Sequence, residues 1–224
     1  SQFSDVVLAD SKPVSEMLMS DLGLDPDLVH TVPIAGIDLD EYTTVEHRET
    51  EEVTVGTVGR FSEAKNYPMV LEVAERLRDE NIRFEVAGDG ELYDAIQEQI
   101  TERDLRNVTL HGLVKDVPSF LADIDIYFQP SLWEGLCITV LEAMASGLPV
   151  VGSNVGGIER NVKDGESGCL FDPDDIACFA SGITKLKNDV ALRQRFGIYG
   201  RNIVVESFTQ NALANEFEYS ISGQ

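Results

Sequence analysis

The stretch IDIYFQPSLWEGLCITVLEAMASGLPVVGS, residues 124–153, decides the fold. It opens on Ile124 to Gln129, whose Ile126-Tyr127-Phe128 reads as the end of a buried strand, and closes on a second strand-like run, Pro149 to Gly152. Between them Leu141, Met144 and Ala145 fall on one helix face, and Gly147-Leu148-Pro149 stops that helix. A helix starting near Gly135 or Leu136 would offer unpaired backbone N–H groups and the positive end of its dipole, which together suit an anion. Glu134 stands at the mouth of that helix start, and Glu142 about two turns inside it.

Working outward, strands and helices alternate from residue 53 onward. Strands are expected at Val53 to Val58, Ile82 to Ala87, Val108 to His111 and Gly168 to Phe171, besides the two above. Helices are expected from Asn66, as a cap with Pro68 in the first turn, to Asn81, and then over Glu91 to Arg103 and Val117 to Ala122. Further helices are expected over Asp174 to Lys187, Val190 to Glu206 and Asn211 to Ser220. This order argues for an α/β fold with a doubly wound, Rossmann-like parallel sheet. Such sheets bind ligands beyond the carboxyl ends of their strands. There lie Gly59-Arg60, Gly88-Asp89-Gly90, Gly112, Glu134, Asn154 and Gly156-Gly157, so a cleft is expected at that edge. Residues 1–35 read as a separate piece: a strand at Val6 to Ala9, a helix capped by Ser11-Lys12-Pro13 and running to about Leu22, and a hinge at Val32-Pro33 and Ala35-Gly36.

Composition narrows the function. The formal charge of −23, from 40 carboxylates against 17 lysines and arginines, argues against a nucleic-acid surface. Acids spread over many helices, with six lysines to 11 arginines, suit a protein adapted to a high-salt cytoplasm, where screening weakens self-repulsion. No apolar run approaches the roughly 18 residues that span a membrane, and no signal peptide opens the chain, so a cytoplasmic location is expected. Ser1-Gln2-Phe3 reads as the start of an excised part of a longer protein. Cys137, Cys169 and Cys178 show no metal-ligand spacing, and reduced thiols are expected.

The two glutamates do not fit an acid–base pair across one bond. Glycoside hydrolases hold such carboxylates roughly 5–9.5 Å apart. Eight helical residues rise about 12 Å and turn through roughly 800°, which suits two parts of an extended ligand. Alternatively, Glu134 complements the helix dipole and Glu142 is a solvated helix residue. Arg60 and Lys65, five apart after the first strand of the series, could hold a diphosphate with the helix start, or pair with a neighbour such as Glu63. Gly88-Asp89-Gly90 lacks the third glycine of a dinucleotide fingerprint and carries Glu91, so it reads as a tight loop bordering the cleft. Asp123-Ile124-Asp125 matches a metal–diphosphate pattern, with both aspartates on one side of a strand, but lies at the wrong end of it. His111 is placed at the cleft edge. Cys137 at a helix N-terminus could have a lowered pKa, though filling space beside backbone amides is the simpler role.

Together, Gly59-Arg60 with Lys65-Asn66, Gly88-Asp89-Gly90, Gly112, Pro130-Ser131 and Glu134-Gly135 through Glu142-Ala143-Met144-Ala145-x-Gly147-x-Pro149-Val150 resemble the C-terminal domain of retaining glycosyltransferases of family 4 (glycosyl transferases group 1). Gly156-Gly157, Asp164-Gly165 and Gly168 to Pro173 continue the pattern, which covers nearly the whole chain. The resemblance implies a GT-B architecture. Residues 1–35 would be the tail of an N-terminal acceptor domain and the hinge, and 36–224 the nucleotide-sugar donor domain with its C-terminal helices. It implies that Arg60 and Lys65 contact the donor diphosphate. Glu134 and the amides of Gly135, Leu136, Cys137 and Ile138 would meet the transferred sugar and distal phosphate, and Glu142 the ribose hydroxyls. Leu113 and Val114 would lie by the base, next to Gly59 and Gly112 on the same edge. Arg60, Lys65 and Glu134 would carry catalysis. No metal or cofactor is implied. Two departures stand out: Cys137 replaces a usual glycine or other small residue, and the hinge Pro33-Ile34-Ala35-Gly36-Ile37-Asp38 is longer than the family's Pro-Asn-Gly-Val-Asp.

The function expected is transfer of a hexose from a nucleotide diphosphate sugar to a lipid or saccharide acceptor bound by the missing domain, which would also carry any membrane association. This chain alone is expected to bind donor and transfer poorly. The alternative is a nucleotide-sugar binding module without transfer activity. An epimerase or phosphorylase would need catalytic acids or a cofactor lysine that have no place in this sequence.

Overall fold

The computed structural model describes residues 6–9, 12–31 and 35–214. Six strands form one parallel sheet: β3 (Val53–Val58), β4 (Ile82–Ala87), β5 (Val108–Gly112), β6 (Ile126–Gln129), β7 (Val150–Ser153) and β8 (Gly168–Phe171), in the order β5-β4-β3-β6-β7-β8. The chain runs outward from β3 to β5, returns, and runs outward again from β6 to β8. The switch point between β3 and β6 is therefore where a doubly wound sheet opens a ligand crevice.

Helices pack on both faces of the sheet, which is fully buried at its central strands and open on one face at the β4–β5 edge. On one face Val55, Phe84, Ile126, Phe128 and Val151 pack with α2 (Tyr67–Arg76) and α7 (Ile176–Asn188). On the other, Tyr127 and Val150 meet α5 (Ile138–Ala145), with Leu121 of α4 (Val117–Ala122), Ile158 of α6 (Gly156–Asn161) and Val204 of α8 (Val190–Ser207). The last crossover helix of the first half, α3 (Tyr93–Glu102), contributes Ile96 to the first face.

Residues 6–31 form a unit of their own. β1 (Val7–Ala9) and β2 (Val29–Thr31) pair in a two-stranded parallel sheet, with α1 (Lys12–Ser20) as the crossover. β2 was not expected; three residues are too few to show a period. Ser11, the expected cap, and Val32-Pro33-Ile34 of the hinge lie outside the described residues, as does the last expected helix beyond residue 214.

Several boundaries differ from expectation for local reasons. α2 ends at Arg76 and not Asn81, and Asn66 takes the expected N-cap position, at φ 53, but its side chain donates to the Pro173 carbonyl and makes no capping bond. α6 was not expected: Gly156-Gly157, placed at the cleft edge after the fifth strand of the series, open a short helix. β6 begins at Ile126, so Asp123 and Asp125 do not share a strand face. Asp125 instead accepts the Thr54 N–H at 2.8 Å and donates its own N–H to the Thr54 carbonyl, extending the β3–β6 seam.

Candidate functional site

At the switch point the loops after β3 and β6 meet, with the Leu132 N–H donating to the Ala64 carbonyl at 2.8 Å. This contact brings Lys65 onto Glu134. The Lys65 Nζ lies 2.7 Å from Glu134 Oε1, and their side chains are only 17% and 10% exposed. The same Oε1 accepts the Ser131 hydroxyl at 2.8 Å, whose oxygen in turn accepts from Gln129 Nε2. Tyr127 lies behind, its hydroxyl 3.0 Å from Gln129 Oε1. Gln129, Ser131 and Tyr127 are almost fully buried, so the ion pair is the exposed end of a polar chain running down β6. Sequence reasoning placed Lys65 on a phosphate and Glu134 on a sugar without joining them, because 69 residues separate the two.

The neighbouring loops are held by backbone packing. Gly88 and Gly90 adopt φ of 143° and 155°, and a Cβ at either would strike the backbone of Gly59 or Phe61. Only glycines fit there, and Phe61 N–H donates to the Asp89 carbonyl across the same contact. Arg60 stands 75% exposed with Nη2 3.1 Å from Glu91 Oε2, so its partner is Glu91 and not Glu63. Gly112 closes β5, its carbonyl accepting the Gly88 N–H. Beyond it Leu113 is exposed and Val114 packs against the core. His111 does not line this edge: its Nε2 is 2.6 Å from Glu85 Oε2, in a hollow of about 230 Å³ with Thr54 and Arg83 from the amino halves of their strands.

α5 begins at Ile138, later than the expected Gly135 or Leu136. Cys137 is its N-cap in the left-handed region at φ 56, without a side-chain capping bond. The first intrahelical bond is Val140 N–H to the Cys137 carbonyl, leaving the earlier amides at the helix mouth. Burial, with Glu134 nearby, pushes the Cys137 thiol up to about 12, which goes against a lowered pKa at this helix end and suits the simpler space-filling role. Gly135 is exposed, while its carbonyl accepts from Arg160 and the Leu136 carbonyl accepts from Asn161, both on α6.

Because Glu134 lies outside the helix, the eight-residue helical spacing does not apply to the glutamate pair, and Glu142 sits little more than one turn inside α5. Glu142 is half-buried, and its Oε1 accepts the Tyr42 hydroxyl at 2.9 Å. Burial raises its pKa, the Tyr42 bond opposes that rise, and the Glu41 charge adds to it. The structure thus places Lys65, Glu134 and the start of α5 together, leaves Arg60 beside them at the surface, and gives Glu142 a partner, Tyr42, that the sequence did not suggest.

Residues 40–203, which carry all of these groups, match the family described as Glycosyl transferases group 1. The chain belongs to this family. Among its curated relatives, the UDP-Gal:alpha-D-GlcNAc-diphosphoundecaprenol alpha-1,3-galactosyltransferase of Escherichia coli is 29% identical over 193 residues, covering 79% of this chain and 50% of that protein. The poly(ribitol-phosphate) alpha-N-acetylglucosaminyltransferase of Staphylococcus aureus is 29% identical over 76% of this chain and 35% of its own length. Among solved structures, HepE of Anabaena in complex with UDP and glucose superposes with a TM-score of 0.86 at 20% identity, over 100% of this chain and 64% of that one. The chain spans about half the length of the first of these curated relatives or less. The shared fold is that of GT-B glycosyltransferases. Among the described residues no three His, Cys, Asp or Glu side chains gather where they could hold a metal ion, and no helix is long and apolar enough to cross a membrane.

Proposed function

We propose that this chain is the donor-binding part of a retaining glycosyltransferase that moves a hexose from a nucleotide diphosphate sugar to an acceptor bound elsewhere in a longer protein. The observation that carries the reading is the Lys65–Glu134 pair at the sheet's switch point, beside the amides at the start of α5. In a chain of charge −23, a buried ammonium at a sheet's carboxyl edge has one proton given to Glu134 and two left for a ligand. Family relatives are named for transfer from UDP-galactose and to sugar-phosphate polymers, which makes UDP the first nucleotide to test.

In the reaction the bond between the sugar's anomeric carbon and the diphosphate oxygen breaks, one to an acceptor hydroxyl oxygen forms on the same face, and the hydroxyl proton passes to the departing diphosphate. Negative charge grows on the departing diphosphate. Lys65 would stabilise it with little reorganisation, because the loop contact at Leu132–Ala64 and the Ser131 bond to Glu134 already hold it, while Arg60, at the surface beside Glu91, and the α5 amides would add to it. Glu134 keeps Lys65 in place through Oε1 and leaves Oε2 for a sugar hydroxyl. The division expected of residues 1–35 and 36–224 gives the acceptor to a preceding domain, with the unit of residues 6–31 as its end. No metal is needed in this scheme, so EDTA should leave nucleotide affinity unchanged.

Calorimetry with UDP, GDP and ADP and their hexose conjugates tests the reading. One nucleotide should bind, and Arg60→Ala should weaken it about tenfold while leaving thermal stability alone, since Arg60 is an exposed, charge-assisted donor. Absence of binding by all three at molar salt would remove the proposal. Efficient sugar transfer by the chain alone would refute the assignment of the acceptor to other parts of the protein.

A further inference from the structure

We infer that Tyr42 is a positioning residue for the donor ribose: its hydroxyl holds Oε1 of Glu142 so that Oε2 is presented to the ribose hydroxyls. The inference rests on the proposed role of Glu142 in donor binding and adds the group that aims it.

Tyr42 stands 100 residues before Glu142 and outside every strand and helix of the sheet domain, yet it is 7% exposed. Its segment is pinned on both sides. The Ile37 N–H donates to the Phe208 carbonyl, and the Val45 N–H donates to the Ser146 carbonyl just beyond α5. Between them the Arg201 guanidinium donates to the Tyr42 and Ala145 carbonyls, tying the segment to α8 and to the end of α5. A turn fixed at three points has no need of a hydroxyl to hold it. The ring is part of the buried cluster that also holds residues of α5, as a phenylalanine ring could be, and the added oxygen reaches one acceptor, 2.9 Å away.

Among the described residues no protein group donates to Oε2 of Glu142. A carboxylate with one oxygen engaged loses the freedom to rotate between poses, and a vicinal pair of hydroxyls needs a single pose. The Glu41 side chain is exposed nearby and carries the same sign, so it supplies no donor to Glu142; Arg201 is occupied by carbonyls. Among the described residues Tyr42 is the one side chain hydrogen-bonded to the acid.

The test compares UDP with 2′-deoxy- and 3′-deoxy-UDP on the wild-type chain, Glu142→Gln and Tyr42→Phe, with GDP analogues in their place if GDP is the nucleotide bound. Wild type should prefer the ribonucleotide by about tenfold, the worth of a hydrogen bond to a charged acceptor. Glu142→Gln should lose most of that preference. Tyr42→Phe should lose several-fold of it, with at most a small fall in unfolding temperature. A Tyr42→Phe chain with the wild-type preference overturns the inference. So does one that weakens ribo and deoxy forms equally, since that marks a packing role. If the wild-type chain binds the nucleotide but shows no ribose preference, the ribose role of Glu142 fails and Tyr42 with it; if it binds none, the donor reading itself fails.

Discussion

The Lys65–Glu134 pair sets the stakes for single side chains. Removing one member of a buried ion pair leaves the other charge desolvated, which costs more than the pair contributes when intact. Lys65→Met should therefore lower unfolding free energy by about 2–3 kcal/mol, somewhat under a fully buried pair because the site opens to the cleft. Adding Glu134→Gln should restore more than half of the loss; urea unfolding of the single and double variants that gave additive costs would contradict this. Glu142 makes a pH prediction. Its carboxyl is raised in the folded chain, so ionising it withdraws stability as pH climbs from its unfolded to its folded pKa. Nucleotide binding needs the ionised form as acceptor and should weaken on acidification at a higher pH than an unperturbed glutamate would give. Tyr42→Phe removes the bond that holds this pKa down and should move that limb higher, as calorimetry across pH would record. None of these partners could be seen along the chain. Lys65 meets Glu134 across 69 positions and Tyr42 meets Glu142 across 100, and no local period links residues joined only by the sheet's crossing.

Elements were far more legible than partnerships. β3, β4, α4 and β8 begin and end where apolar residues and turn residues said they would, β4 by alternating buried Ile82, Phe84 and Val86 with Arg83 and Glu85. The failures lie where backbone contacts overrule side-chain signals. α6 opens on Gly156-Gly157 because a Cβ at either would run into the carbonyl oxygens of Glu134 or Gly135. Close backbone approach outweighs the glycine's helix penalty of about 1 kcal/mol. This ordering predicts the sign of Gly157→Ala. The helix gains propensity, but a carbonyl cannot step aside as a side chain can, so the variant should lose about 1–3 kcal/mol and bind nucleotide more weakly. A higher melting temperature would show that the Glu134–Leu136 loop yields. α5 likewise starts late because Cys137 takes a left-handed conformation costly for a residue with a Cβ, a turn no pattern announces.

For the whole molecule, 40 carboxylates against 17 lysines and arginines place self-repulsion over most of the surface. The melting temperature should rise between low and molar sodium chloride; a flat or falling trend would leave the composition without its high-salt rationale. The order of the sheet carries a mechanical consequence. β3 and β6 are registered over two residue pairs, Val55 with Ile126 and Gly56 with Tyr127, whereas β3 and β4 are registered over six. Lys65 hangs from one side of this short seam and Glu134 from the other. The two halves of the sheet meet along this short ladder under a core continuous across it, and a diphosphate gripped from both sides would act as a clasp. Amide exchange along β6 should then slow on nucleotide binding well beyond the residues that touch it, so that the bound donor fastens together the fold that holds it.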